Sequence, residues 1–582
     1  MIRRLQVLLW CLAALLVVAA AAACGRGGEP EAGGVGLVVE TASGLVEGVP
    51  VDDGRGPAGD VLAFRGIPYA APPVGDLRWR PPEPPTSWEG VRPALEPGAP
   101  CWQRISPDAS IWSRGELDRS EDCLYLDLWT AAADDAGPRP VMVWFHGGSH
   151  EVGHGSSLIF DGAALARKGV VLVSINYRLG AFGFLAHGAL TAESEHGSSG
   201  NYGLLDKIAA LEWVRDNAAA FGGDSERVTI FGQSAGSMSV CSLVASPLAA
   251  GLFHRAIGQS AACFTPLEGL EQAERRGVLL AEELDVAADA ATADIAAAMR
   301  AASAEDVLAG AGGSGWSDGA KTVVDGWYLP DQPSAIYARG EHNRVPMTVG
   351  FMGDESRALF APGPPLRRPE LERQLEEQYG KAAAGLLAAY TAEAEKAPGA
   401  VPGLIFSDTI FGWGSRTWVR HAAAAGGDAY LYFIPHAPPV FRLYLPDRPD
   451  LGGEGGPRRM GAYHSGDLAY VFGNTDLVGI NWEDWDHEIA DLLSSYWTNF
   501  AKTGDPNGEG LPEWPRYQPE TDLALVVGDA VGAESGVLRE KLDALDVALV
   551  KEGRGETTAL WDRRPGCRGR RQDTSAQALQ DW

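Results

Sequence analysis

The sequence predicts an α/β fold: a large, mostly parallel central sheet flanked by helices around one continuous core. Three features point to it. Short apolar runs rich in β-branched residues recur at positions 141–145, 170–175, 228–231, 256–259, 347–351, 430–433 and 523–527. Nearly continuous apolar runs of this kind suit strands buried on both faces of a parallel sheet. Longer helical patterns alternate with them, and neither an internal repeat nor a long linker interrupts residues 38–527, so one α/β core accounts for the stretch.

The helices follow from spacing. Leu204, Ile208, Leu211 and Val214 fall on one helical face and predict a helix over 203–221. Ala- and Leu-rich patterns predict further helices over 267–308 and 369–395. A late helix over 484–502 is stopped by Gly504-Asp505-Pro506. Beyond about residue 548 the chain turns polar, with Arg563, Arg564, Arg568, Arg570 and Arg571. The expected organisation is a signal at 1–23, a flexible tether at 24–37, one domain over 38–547 and a C-terminal extension over 548–582.

The chain has 582 residues, 45% of them hydrophobic and 21% charged, with a formal net charge of -29. That is the balance of a globular protein with a large core. The negative charge and the lack of Lys/Arg runs exclude nucleic acid or an anionic membrane surface as the main partner.

At the N-terminus Arg3 and Arg4 precede an apolar run over 5–23 that ends in Ala21-Ala22-Ala23-Cys24. A short positive segment, an apolar stretch and small residues form an export signal; an uncleaved anchor is the competing reading. The last four residues resemble the lipobox of bacterial lipoproteins, which implies lipidation of Cys24, with plain secretion as the alternative. Of the seven cysteines, Cys101, Cys123, Cys241, Cys263 and Cys567 lie beyond Cys24. An exported chain is expected to form disulfides, although connectivity does not follow from sequence.

The chemistry centres on Val228-Thr-Ile-Phe-Gly-Gln-Ser-Ala-Gly236, a β-branched run entering Gly-x-Ser-x-Gly and then a helical pattern. In a turn this tight the flanking positions must be Gly, and the Ser234 hydroxyl is left exposed above the sheet as a nucleophile. A serine hydroxyl needs a base, and the base needs an acid to orient it. His146, His150 and His154 recur every four residues. The Gly-Gly between the first two argues against one helical face, so no metal site is expected there.

Several ordered blocks resemble the type-B carboxylesterase/cholinesterase family of the α/β-hydrolase superfamily. They are Phe64-Arg-Gly-Ile-Pro-Tyr-Ala-Ala-Pro-Pro-Val-Gly75, Glu121-Asp-Cys-Leu-Tyr-Leu126, Asn176-Tyr-Arg-Leu-Gly180, Gly200-Asn-Tyr-Gly-Leu-Leu-Asp206, Phe221-Gly-Gly-Asp224 and Trp497-Thr-Asn-Phe-Ala-Lys-Thr-Gly-Asp-Pro-Asn507. The resemblance implies an α/β-hydrolase fold with inserted helices and loops over the active site, and a cofactor-free ester hydrolase acting through an acyl-enzyme. It makes Glu355 the triad acid, in Gly350-Phe-Met-Gly-Asp-Glu355, with Asp354 as the local alternative. His464, in Tyr463-His-Ser-Gly-Asp467, becomes the base.

The same resemblance makes His146-Gly147-Gly148-Ser149 the oxyanion loop and implies the N–H groups of Gly148, Ser149 and Ala235 as the donors. Two positions depart from the family: Ser149 replaces a usual Gly, and Gln233 replaces a usual Glu beside the nucleophile. Gln233 keeps a hydrogen bonder without the charge that supports cationic alcohols, so neutral esters are expected. Trp112 is implied as a pocket or rim aromatic. Cys101 pairs with Cys123 by resemblance, Arg178 with Asp206 as a buried ion pair, and the state of Cys241 and Cys263 stays open. Two other readings of the scaffold remain: a non-catalytic adhesion protein, and a specialised hydrolase of carbamate, lipid or natural-product esters.

Overall fold

The structure is a computed structural model. It describes residues 35–105, 118–132, 137–313, 321–359, 365–440, 456, 458–478 and 481–549. Trp112, Cys24, Cys567, the signal and most of the tether and C-terminal extension therefore lie outside the described residues.

An 11-stranded sheet forms the centre. In chain order its strands are β1 (Val49–Pro50), β2 (Val61–Pro68), β3 (Tyr125–Ala131), β4 (Arg139–Phe145), β5 (Val171–Ile175), β6 (Gly223–Gln233), β7 (Arg255–Gln259), β8 (Met347–Met352), β9 (Ala429–Ile434), β10 (Leu523–Val527) and β11 (Val531–Ser535). In space they run β11-β10-β9-β8-β7-β6-β4-β5-β3-β2-β1. The stretch from β5 through β4 to β10 is parallel. The edges are antiparallel: β1, β2, β3 and β5 on one side, β10 and β11 on the other.

Each predicted run coincides with a strand of the parallel stretch from β5 to β10. The antiparallel β2 and β3 escaped the sequence, and β2 shows why. Its pairing with β3 shifts register between Phe64 and Ile67, around Gly66 at φ 69°, so no clean two-residue alternation survives.

Burial explains why the central runs are continuously apolar. In β4, Val141, Val143 and Phe145 enter one core while Met142 and Trp144 enter the other. β9 divides the same way, with Ala429 and Leu431 on one side and Tyr430, Tyr432 and Ile434 on the opposite side. Alternate residues point to opposite faces, and both faces are covered. Helix α1 (Tyr202–Asn217) lays Leu204, Ile208, Leu211 and Val214 on the first core. The helix Asp484–Thr503 lays Ile489, Leu493, Trp497 and Phe500 on the second.

Register then sets the position of the chemistry. Phe145 pairs with Gly232, Gly258 with Gly232, and Gln259 with Gly350. The C-terminal ends of β4, β6, β7 and β8 therefore lie side by side, and the loops leaving them converge. This is where open α/β sheets place their ligands.

Candidate active site

Ser234 leaves β6 at φ 58° and ψ -123° and caps helix α2 (Ala235–Ala245). A positive φ is strained for a residue with a Cβ and is held here by its surroundings. The Ser234 N–H donates to the Gln259 carbonyl at 2.9 Å, and its carbonyl accepts from Met238 N at 2.9 Å. The flanking glycines are obligatory. A Cβ on Gly232 would lie 2.5 Å from the Gly236 carbonyl carbon, and one on Gly236 would lie 2.0 Å from the Phe145 oxygen.

The loop after β4 runs against this turn. A Cβ on Gly147 would sit 2.7 Å from the Gln233 carbonyl oxygen and 3.0 Å from Ser234 Cβ. Gly148, at φ 100°, would bring a Cβ to 2.1 Å from the Val152 oxygen, so only glycine fits there. Ser149 is exposed and adopts φ 57°, a left-handed conformation costing an ordinary residue about 1–2 kcal/mol. Serine therefore replaces the usual glycine at a modest cost, with its side chain directed to solvent. Among the described residues no protein acceptor takes the N–H of Gly148, Ser149 or Ala235.

Glu355 opens a single turn (Glu355–Ala358) just beyond β8. One carboxylate oxygen accepts from Met352 N at 2.8 Å, and the other accepts from His464 Nδ1 at 2.5 Å. Both residues are buried. Asp354 is occupied elsewhere: it accepts from Ala462 N at 3.0 Å and pairs with Arg357 at 3.1 Å. It fastens the loop that carries His464 and leaves the imidazole to Glu355.

With Nδ1 donating to Glu355, His464 Nε2 keeps its lone pair. The Gln233 amide nitrogen lies 3.1 Å from Nε2, and the ring of Phe411 stands 4.8 Å from the imidazole. Ser234 Oγ makes no hydrogen bond among the described residues. Such contacts commonly tighten only when substrate is bound.

Two features of the site were not foreseen. Phe411 comes from a π-helical turn, Thr409–Trp413, and joins Ala261 and Phe351 in a small apolar cluster edged by Met238, Ile410, Phe433 and Leu538. Its only sequence signal was an aromatic in an unassigned helical stretch. Asp467, three residues after His464, is buried and accepts from Gln259 Nε2 at 2.8 Å. Burial, reinforced by the charge of Glu355, raises its pKa from an ordinary 3.8 to about 6 despite the Gln259 bond.

The remaining predicted residues fall in supporting places. Arg178 and Asp206 form a buried bidentate pair at 2.7 and 2.9 Å. Cys101 is bonded to Cys123, and Cys241 to Cys263. The second bridge joins α2 to the segment after β7. Among the described residues there is no group of three or more His, Cys, Asp and Glu suited to a metal ion.

A profile of the carboxylesterase family matches residues 36–544. The fumonisin B1 esterase of Sphingopyxis macrogoltabida is 35% identical over 515 residues, covering 86% of this chain and 88% of that one. The para-nitrobenzyl esterase of Bacillus subtilis (strain 168) is also 35% identical, covering 87% and 98% of the two chains. Among solved structures, a PNB esterase superposes with a TM-score of 0.74 at 30% identity over 87% of this chain and 99% of its own. A carboxylesterase of Geobacillus stearothermophilus gives 0.72 at 32% identity over 88% and 100%. These neighbours share the α/β-hydrolase fold. The chain belongs to the carboxylesterase family and is a carboxylic ester hydrolase.

Proposed function

We propose that Ser234, His464 and Glu355 are the catalytic triad of this esterase, with the N–H groups of Gly148, Ser149 and Ala235 as its oxyanion hole. One observation carries the reading. The buried His464–Glu355 pair reaches Gln233, the residue before a serine held at a strained strand-to-helix turn, and among the described residues the N–H groups of Gly148, Ser149 and Ala235 have no protein acceptor.

In the first half-reaction His464 Nε2 takes the Ser234 proton as Oγ attacks the ester carbonyl. Glu355 stabilises the imidazolium, and the three donors hold the oxyanion. Each donor contributes roughly 3–4 kcal/mol to such a transition state. His464 then protonates the departing alcohol, and water repeats the sequence on the acyl-enzyme. The test is Ser234→Ala. It should lose on the order of a millionfold in kcat and should no longer react with a fluorophosphonate probe. Retained esterase activity would remove the assignment.

The relatives' names span fumonisin B1, para-nitrobenzyl esters and cocaine; they support the reaction class without specifying an acyl or alcohol group. We assign a preference for neutral esters, because the buried residue against His464 is the uncharged Gln233. The apolar cluster around Phe411 supports an apolar substituent on the ester. Trp112, outside the described residues, is proposed as a pocket or rim aromatic on the family resemblance of its sequence position alone.

We also propose that the chain is exported through residues 1–23, anchored by lipid at Cys24 and tethered over 24–37 to one catalytic domain at 38–547, with an extension at 548–582. Two disulfides support an oxidising compartment. Among the described residues no helix is long and apolar enough to cross a membrane.

A further inference from the structure

The two arms of the proposed oxyanion hole come from different parts of the chain. Gly148 and Ser149 lie on the loop after β4, and Ala235 opens α2. His150 spans the gap. Its Nε2 lies 2.9 Å from the Ala235 carbonyl oxygen and 2.9 Å from Ser239 Oγ, which itself donates to that carbonyl at 2.8 Å. A carbonyl can only accept, so Nε2 carries the proton. The ring is buried and stacks on Phe184 at 4.7 Å, with a 15° angle between planes. The His150 carbonyl accepts from Gly180 N at 2.7 Å.

The loop needs such a tie. Gly148, Ser149 and His150 have φ of 100°, 57° and 58°, and three consecutive left-handed residues persist only where surrounding contacts over-determine them. The His150 bond fixes the peptide after Ala235, while its own backbone continues directly from the Ser149 donor. A hydrogen bond from one arm to the other thus sets the separation of donors that must meet one oxygen atom.

We infer that His150 is a positioning residue: its Nε2–H bond to the Ala235 carbonyl holds the Gly148/Ser149 arm and the Ala235 arm in the register that a tetrahedral oxyanion requires. This rests on the triad and oxyanion-hole reading above. Removing the bond leaves the Ala235 carbonyl still accepting from Ser239 Oγ, so it strands no buried acceptor, and the effect should appear in catalysis more than in folding.

The experiment compares His150→Phe, which keeps the stacking on Phe184 and loses the donor, with His150→Gln, which retains an N–H donor of similar reach. Both are made in the full chain and assayed on 4-nitrophenyl butyrate. The Phe variant should lose on the order of 10- to 100-fold in kcat with KM changed by less than about threefold, part of the contribution of one oxyanion donor. The inhibition constant of a trifluoromethyl ketone, which forms an oxyanion at Ser234, should rise by a similar factor. The Gln variant should recover most of both. Should the Phe variant fail to fold, His150→Leu gives the same comparison. Unchanged kcat, an equal loss in the Gln variant, or a loss confined to KM would overturn the role. A wild-type enzyme left unlabelled by a fluorophosphonate would overturn the nucleophile assignment beneath it, which is a separate result.

Discussion

Under the proposed reading, Gln233 sets selectivity without taking part in bond making. It is buried, its amide nitrogen lies 3.1 Å from His464 Nε2, and its side-chain oxygen has no hydrogen-bond partner among the described residues. A carboxylate at this position would add a negative charge beside the reacting centre. Gln233→Glu should therefore raise the ratio of kcat/KM for butyrylthiocholine over 4-nitrophenyl butyrate by roughly tenfold, the effect of about 1.4 kcal/mol. An unchanged ratio would show that this position does not govern charge preference. Asp467 makes a second prediction at the same scale. Its folded pKa is raised from 3.8 to about 6, so the folded state holds the proton more tightly than the unfolded chain. Stability is then lost as pH rises between those two values, and the cost is fully present at pH 7, at about 3 kcal/mol. Asp467→Asn retains an acceptor for Gln259 and removes the charge. Relative to wild type, the variant should gain about this much between pH 4 and pH 7 in urea unfolding. A difference between the two proteins that stays constant across that range would count against the shift.

Among the elements, α2 carries the most. It begins at Ser234, carries the proposed Ala235 donor, and is bonded through Cys241 to Cys263 beyond β7. The segment it holds includes Ser260 at φ 53° and Ala261 at φ 156°, and Ala261 borders the Phe411 cluster. Closing a loop with a sequence separation of 22 stabilises by about 3 kcal/mol in the chain-entropy account. Cys241→Ala with Cys263→Ala should lower the urea midpoint by a corresponding amount; an unchanged midpoint would mean that packing alone holds the segment. This element also marks how far the sequence could be read. The strand-turn-helix around Ser234 was legible because sterics leave Gly232 and Gly236 no alternative. The central strands were legible because burial on both faces demands unbroken apolar runs. The Cys241–Cys263 bridge was not, since pairing depends on where β7 ends relative to α2. Nor was the π-helical turn of Phe411, which carries no local pattern. His150 was visible only as one of three spaced histidines, because its partner Ala235 lies 85 residues away.

For the molecule as a whole, the parallel centre of the sheet brings four strand ends together, and through them the proposed nucleophile Ser234, its proposed acid Glu355 and the proposed oxyanion loop. His464 joins from a later segment by the bridge between Asp354 and Tyr463. The residues named in this geometry all lie between 139 and 464, so catalysis and the proposed anchoring should separate cleanly. The N-terminal sequence has positive residues, an apolar stretch and small residues before Cys24, and burial of acyl chains is worth about 0.8 kcal/mol per CH2. A chain of formal charge -29 gains nothing from an anionic bilayer surface, so on the proposed reading the lipid at Cys24 would supply retention at a membrane. Wild-type protein expressed in a bacterial host should incorporate labelled palmitate and partition into the detergent phase of Triton X-114. Cys24→Ser should remain in the aqueous phase with unchanged kcat/KM on 4-nitrophenyl butyrate. Wild-type protein recovered unlabelled in the aqueous phase would replace the lipid anchor with plain secretion and leave the catalytic assignment untouched.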